Sequence, residues 1–482
     1  MQVVPSSPVA GSGRLGVRQR TITVRPLRPV SIAAFVLFAS AAFAGPVPAP
    51  QERPVKAEEG QYSGPGSCSA TSCHGAIRPR EGSRILQTEY STWVVKDRHS
   101  RAYLALTGEV GERMAHLLKL NTKAEEAPKC LVCHSLYVPP DKRARTFELS
   151  EGVSCENCHG PAGGWLGGHT TRGWTHEQSV KAGMIETRDI IHRTDQCMTC
   201  HLGTPTQYVD HEMIGAGHPD LYFELDSFEA TMPRHWRVPR LSEDLKPAED
   251  AAWLGMREWS TGQAEQLKDE LERVSWRAKG KYWPEYSELD CFACHHALGP
   301  AAQSWRLKTE YDIRRESDPG WRAGDPPWQP SRYIVFLHLA KAVDPGAGAD
   351  LSTKVLKVQS EMSKLNPDPN AVVADAAAAM PVAQQFAQRL ATATYDAGLA
   401  KRVMISITGD ADHIAYSGER SGEQAAMALD SLYIAYSKEA NPSDAAGVRA
   451  AINGLFPLLE NQSYYEPGAF ASQMKKVGAL IR

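Results

Sequence analysis

The sequence predicts a mainly α chain with little regular sheet, in two parts: a cysteine- and histidine-rich region of short helices and long loops, then a C-terminal α-helical domain. Three observations predict this. All 10 cysteines lie between 68 and 294, in pairs that are each followed by a histidine. Long loops rich in Gly and Pro, such as residues 160–168, punctuate that same stretch. After residue 296 the composition turns alanine-rich, with apolar residues recurring at spacings of three and four.

Four of the pairs have the form C-x-x-C-H: Cys130-Leu-Val-Cys133-His134, Cys155-Glu-Asn-Cys158-His159, Cys197-Met-Thr-Cys200-His201 and Cys291-Phe-Ala-Cys294-His295. The fifth, Cys68-Ser-Ala-Thr-Ser-Cys73-His74, holds two more residues between its thiols. This spacing is the attachment signature of c-type haem, in which two thiols form thioethers and the next imidazole reaches the iron. The cofactor expectation is therefore five covalently attached c-type haems. If Cys68 and Cys73 formed a local disulfide instead, four would remain.

Other uses of 10 cysteines fit less well. Adjacent C-x-x-C pairs close loops too short to staple a fold, and disulfides require no histidine after each pair. Structural zinc joins two pairs per tetrahedral site, so an odd number of pairs strands one.

Residues 1–44 read as a signal peptide. Five arginines (Arg14, Arg18, Arg20, Arg25 and Arg28) and no acid precede the apolar run 31–44, which ends in the small-x-small pattern Ala42-Phe43-Ala44. The run is shorter than the ~20 residues of a transmembrane helix, and no later stretch approaches that length. Export to the periplasm agrees with haem attachment outside the cytoplasm. Loss of five positive charges takes the formal net charge from −3 to −8, which argues against nucleic acid and towards basic or small soluble partners.

Residues 45–62 read as a flexible leader, 63–298 as a pentahaem cytochrome c domain and 299–482 as a haem-free helical domain. Within the haem region an amphipathic helix is expected over 262–279, with Ala264, Leu267, Leu271, Val274 and Ala278 on one face, packed on the last haem. In the tail, helices are expected near 332–342, 352–364, 369–402, 421–438, 443–460 and 467–481. Pro381 should break or kink the third. Ser421 with Gln424 resembles a capping box for the fourth. Any oligomer would form through this domain.

The proximal iron ligands are His74, His134, His159, His201 and His295. Eleven of the 16 histidines remain for the distal positions. Local context selects His99, His169, His211, His218, His235 and His296. His116, His176, His192, His338 and His413 read as surface or hydrogen-bonded core histidines. Six candidates for five positions favour irons with two axial imidazoles.

With these residues in view the chain resembles the cytochrome c-554 group of periplasmic multihaem cytochromes. The resemblance is carried by Cys68 to Gly75, Trp93 to Ala102 around His99, Gly152 to Pro161, Asp210 to Pro219, and Asp290 to His296, together spanning about 65–298. It implies closely stacked haems, mostly bis-histidine, moving electrons between redox enzymes; in that family one haem can keep an open position. The namesake family has four cassettes and no counterpart to the helical tail. Five haems before long helices also resemble pentahaem nitrite reductase, whose catalytic cassette ends in lysine, whereas every cassette here ends in histidine.

Three functions stay open on sequence alone. The leading expectation is a periplasmic carrier that passes electrons between redox-protein donors and acceptors. The second is an oxidoreductase acting on a small nitrogen or sulfur species at one haem with an open distal side. The third is a scaffold whose tail docks a redox partner.

Overall fold

In the computed structural model the described residues are 60–238, 246, 253–295, 325–461 and 464–482. The signal peptide, the leader up to residue 59, the boundary at 298/299 and His296 lie outside the described residues. The haem-cassette region carries α1 (Glu89–Lys96), α2 (Glu109–Leu117), α3 (Pro128–His134), α4 (Cys155–His159), α5 (His176–Lys181), α6 (Ile190–His201), α7 (His211–Gly215) and α8 (Leu225–Thr231). Then come α9 (Leu254–Ala278), α10 (Ile334–Val343), α11 (Pro345–Met362), α12 (Pro369–Thr392), α13 (Ala397–Gly409), α14 (Ala411–Tyr416), α15 (Glu419–Ala440), α16 (Ala445–Asn453) and α17 (Pro467–Ile481). Among the described residues, β pairing is limited to isolated bridges, such as Thr204 with Gln207. The fold is mainly α, as the sequence predicts.

Short helices survive in the first region because side chains cap them. Asp189 accepts from His192 N at the start of α6, and Asp210 from Met213 N at the start of α7. The Glu224 carboxylate takes both Asp226 N and Ser227 N ahead of α8. Apolar clusters here are small. One joins Ile190, Met198, Leu202, Phe223 and Leu225; another joins Leu106, Ala115, Ala124 and Leu131.

The large core is different in kind. Among the described residues it runs from Trp253 through α9 and each later helix to Ile481. Helix α9 starts eight residues before its expected position at 262 and packs most extensively on α12. Arg257 near its start donates to the carbonyls of Ala391 (2.8 Å) and Ala393 (3.1 Å), while Trp283 beyond its end donates to Pro367 O (2.8 Å), so the two helices run antiparallel. On its other flank lie α6 and α8. Charged positions that a surface helix would turn to water are therefore enclosed: Glu258, Glu265, Asp269 and Glu270 are all buried. Each is matched by a cation, as where Arg193 of α6 meets Glu258 at 2.7 Å.

The tail follows the expected helices with local changes. The stretch 369–402 is two helices, because Asp396 caps α13 through Leu399 N at 2.6 Å and Tyr395 folds back to donate to Leu390 O at 2.7 Å. Pro381 sits inside α12 without ending it. Both Pro381 and Ala377, whose carbonyl loses its donor, face solvent, where water replaces the missing bond. Helix α15 begins at Glu419, so Ser421 lies inside the helix and bonds back to Ser417 O. The stretch 443–460 is α16 followed by a 3-10 turn, Phe456–Leu459.

Asp410, between α13 and α14, accepts from His338 (3.1 Å) and His413 (3.0 Å). Partial burial pushes its carboxyl up, but the two imidazoles outweigh burial and hold it well below the usual carboxylate range. The folded value lies below the unfolded one, so this stabilisation is full above about pH 3.9 and is lost as pH falls towards the folded value. The melting temperature should therefore drop on acidification below about pH 4. Asp410→Asn should start lower and show a shallower acid limb in a pH series of thermal melts; an unchanged slope would refute the linkage.

Candidate haem-binding site

Helical geometry explains the cassettes. On a helix, residues three apart share a face and the residue four along lies beside them, so C-x-x-C-H points two thiols and an imidazole the same way. Cys130–His134 lie on α3, Cys155–His159 form α4, and Cys197–His201 end α6. Cys291 opens a 3-10 turn, with His295 N bonded to Cys291 O at 2.8 Å. The longer first cassette closes through a tight loop instead: Cys73 N donates to Ala70 O (2.8 Å) and His74 N to Cys68 O (3.2 Å). Gly75 completes it, since a Cβ there would sit 1.8 Å from Ser69 O.

Each cassette histidine faces one histidine from elsewhere in the chain. Ring centres are 6.2 Å apart for His74 and His169, 6.2 Å for His201 and His99, and 6.3 Å for His134 and His218. They are 6.5 Å apart for His159 and His235, and 6.0 Å for His295 and His211. A metal–imidazole bond is about 2.0 Å and the ring centre lies about 1.1 Å beyond the nitrogen, so two imidazoles on opposite sides of one metal have centres about 6.2 Å apart. All five pairs meet that spacing. Interplanar angles vary from 9° for His74 with His169 to 90° for His134 with His218.

The other ring nitrogen is occupied in many of these rings. Nδ1 of His74 bonds Glu89 (3.0 Å) and Nδ1 of His99 bonds Asp97 (3.0 Å). Nδ1 of His134, His169 and His218 bonds the carbonyls of Ala102, Leu166 and Pro219. Such bonds fix the tautomer and orient the ring, leaving Nε2 for a metal. The hydrogen bonds to Glu89 and Asp97 raise His74 and His99 above the ordinary imidazole value. Burial pushes His159 and His201 down to about 4, which keeps them neutral with a lone pair to offer.

The remaining histidines do other things. His176 commits Nε2 to Glu186 at 2.8 Å. His338 and His413 share Asp410, and His116 and His192 are exposed. The carboxylates Glu89 and Asp97 were not legible as part of the site: Glu89 stands 15 positions from His74, and only the closeness of Asp97 to His99 hinted at an Asx turn.

Two loops bring the non-cassette histidines in. The buried Glu156 carboxylate, one residue after Cys155, accepts from Ser63 N (2.9 Å), Gly64 N (2.7 Å) and Ala162 N (2.7 Å), pinning the start of the glycine-rich loop that carries His169. Gly152, at φ 73°, lets the chain pass the His99 backbone, where a Cβ would meet His99 O at 2.8 Å.

A cavity of about 2960 Å³ runs between these elements, several times the ~300–1,000 Å³ of a single small-molecule site. Cysteines and histidines of the first four cassettes line it, together with His99, His169, His218 and His235. Neighbouring cassettes touch. Cys68 lies beside Cys155, and Cys133 beside Cys200. Gln196 Nε2 donates to Asn157 O (2.6 Å), joining the third cassette to the fourth. Lys129, beside Cys130, pairs with Asp210 (3.0 Å), beside His211.

Residues 68–160 match the family described as cytochrome c554 and c-prime. Over that stretch the chain is similar to the cytochrome c554 family. Searches of curated proteins and of solved structures return no match. Cytochromes of the c554-like kind bind c-type haem covalently and carry electrons to redox protein partners, and the cysteine and histidine geometry above fits that group. Among the described residues, no helix is long and apolar enough to cross a membrane.

Proposed function

We propose that the protein is a periplasmic pentahaem electron carrier in which every iron lies between two imidazoles. The observation that carries this reading is the pairing of all five cassette histidines with one outside histidine each, at 6.0 to 6.5 Å. Bound haem supplies a ferric/ferrous couple. The protein's own part is to fix the axial pairs, hold carboxylates or carbonyls on Nδ1 and exclude water from the cavity. The two-residue insertion in the first cassette is compatible with this, since His74 meets His169 at the same spacing as the others. Export by residues 1–44 supplies the compartment in which such haems are attached.

Adjacent cassettes give an order that differs from the sequence: first beside third, third beside fourth, fourth beside second, and second beside the His211 segment that faces the fifth. Electrons entering at one end would pass along that line. No cassette histidine lacks a facing partner, which weighs against an iron with an open distal side.

The test is a pyridine haemochrome count with a spin inventory by electron paramagnetic resonance on the oxidised protein. Five haems per chain, all low-spin, are expected. A count below five, or a high-spin component that binds cyanide or nitrite, would overturn the reading.

A further inference from the structure

The stretch between α6 and α8 carries two of the paired histidines, His211 and His218, yet holds little regular structure beyond the short α7. Its backbone carbonyls need donors from elsewhere. Three buried arginines supply them. Arg273 Nη1 donates to Leu202 O at 3.1 Å, Arg277 Nη2 to Val209 O at 2.7 Å, and Arg332 Nη2 to Leu221 O at 3.1 Å. Leu202 directly follows His201, Val209 lies two residues before His211, and Leu221 lies three after His218.

Two fully buried carboxylates bind the same arginines together. Glu270 pairs with Arg273 (3.1 Å) and Arg332 (2.8 Å). Glu288 pairs with Arg273 (2.8 Å) and Arg277 (3.0 Å) and lies three residues before Cys291. Burial works against ionised Glu288, but Arg273 and Arg277 outweigh it and hold the carboxyl below its usual range. Glu285, 3.9 Å from Arg277, accepts from His211 N at 2.9 Å. Both histidines of the fifth pair, and one each of the second and fourth, thus hang from one ionic network rooted in α9.

We propose that Arg273, Arg277 and Arg332 are positioning residues through which the haem-free helices set the axial geometry, and hence the reduction potentials, of three of the five irons. The proposal rests on the bis-histidine reading above. Desolvating three guanidiniums and two carboxylates costs stability that apolar side chains would not, so holding the fold together is a poor account of the network by itself. The planar guanidinium reaches a carboxylate with one nitrogen and a carbonyl with another, which a lysine ammonium in the same place does poorly.

The test uses the full-length haem-loaded protein and the variants Arg273→Met, Arg277→Met and Arg332→Met. Arg257→Met is the control: Arg257 also donates to backbone carbonyls from α9, but only to Ala391 and Ala393 of the helical region. Haem content should stay unchanged in all four. Each of the three network variants should shift the midpoint potential of one haem and the resonance of one low-spin iron, whereas Arg257→Met should lower the melting temperature alone. Where a methionine variant fails to fold, the Arg→Lys variant at that position keeps the charge and should still shift one haem. Lowered melting with every potential and resonance unchanged would overturn the proposal. High-spin iron or fewer than five haems in the unmodified protein would instead overturn the bis-histidine reading, so the two failures are distinguishable.

Discussion

Replacing His99 with alanine is expected to convert one low-spin iron to high-spin while the haem count stays unchanged. His99 faces His201 across 6.2 Å, and Cys197 and Cys200, which would hold the haem on the His201 side, are untouched by the change. The buried Asp97 carboxylate accepts from both His99 N and His99 Nδ1 at 3.0 Å, so the ring is held from behind and no other described histidine forms a ring pair with His201. Alanine removes that imidazole and leaves water or nothing in its place. Because Asp97 would then lose its ring partner inside the protein, Asp97→Asn with His99→Ala separates the lost ligand from the stranded charge. Electron paramagnetic resonance and the absorption spectrum of the oxidised protein read the result; spectra identical to the unmodified protein would remove His99 from the ligand set. Asp97→Asn alone should keep the iron low-spin and raise its potential, since a less electron-rich imidazole stabilises the ferric state less.

Trp259→Ala is expected to cost about 3–5 kcal/mol of unfolding free energy, the range for emptying a large buried aromatic site. Trp259 is 0 % exposed on α9 and belongs to the core that joins this helix to the tail. With domain stabilities of about 5–15 kcal/mol, a loss of that size threatens the helical region outright. It should also loosen the arginine network that α9 carries, so perturbation of the haems facing His211 and His218 should accompany it. Denaturant unfolding followed by far-ultraviolet circular dichroism measures the cost. A loss under about 1 kcal/mol would mean that the helix is peripheral.

These two substitutions mark where sequence reasoning was strong and where it ran out. His99 stood out because it sits among helix-forming residues close after the first cassette, and the structure brings it to face a cassette histidine. Its partner was not legible: His201 lies 102 positions away, and nothing in spacing says which imidazole meets which. The role of α9 was misread for a related reason. An amphipathic helix buried by one face was expected over 262–279, but Glu265 and Glu270, off that face, are buried too and neutralised by Lys268, Arg273 and Arg332. Helical periodicity identifies a face that must be buried; it does not say that the other face is exposed. Pro381 taught the converse, since a residue that breaks a buried helix is tolerated where its freed carbonyl meets water.

By itself the sequence determined the c-type haem chemistry and the α-helical class, because covalent attachment and helix formation depend on residues a few positions apart, and it picked out the five outside histidines, His99, His169, His211, His218 and His235, that face a cassette histidine. The tertiary structure alone decided which histidine faces which, that cassettes neighbour one another out of chain order, and that α9 belongs to the tail while gripping the haem region. Those depend on contacts between residues tens to hundreds of positions apart, where packing, buried charge and the limited donors for loop carbonyls choose among arrangements that local pattern leaves equal.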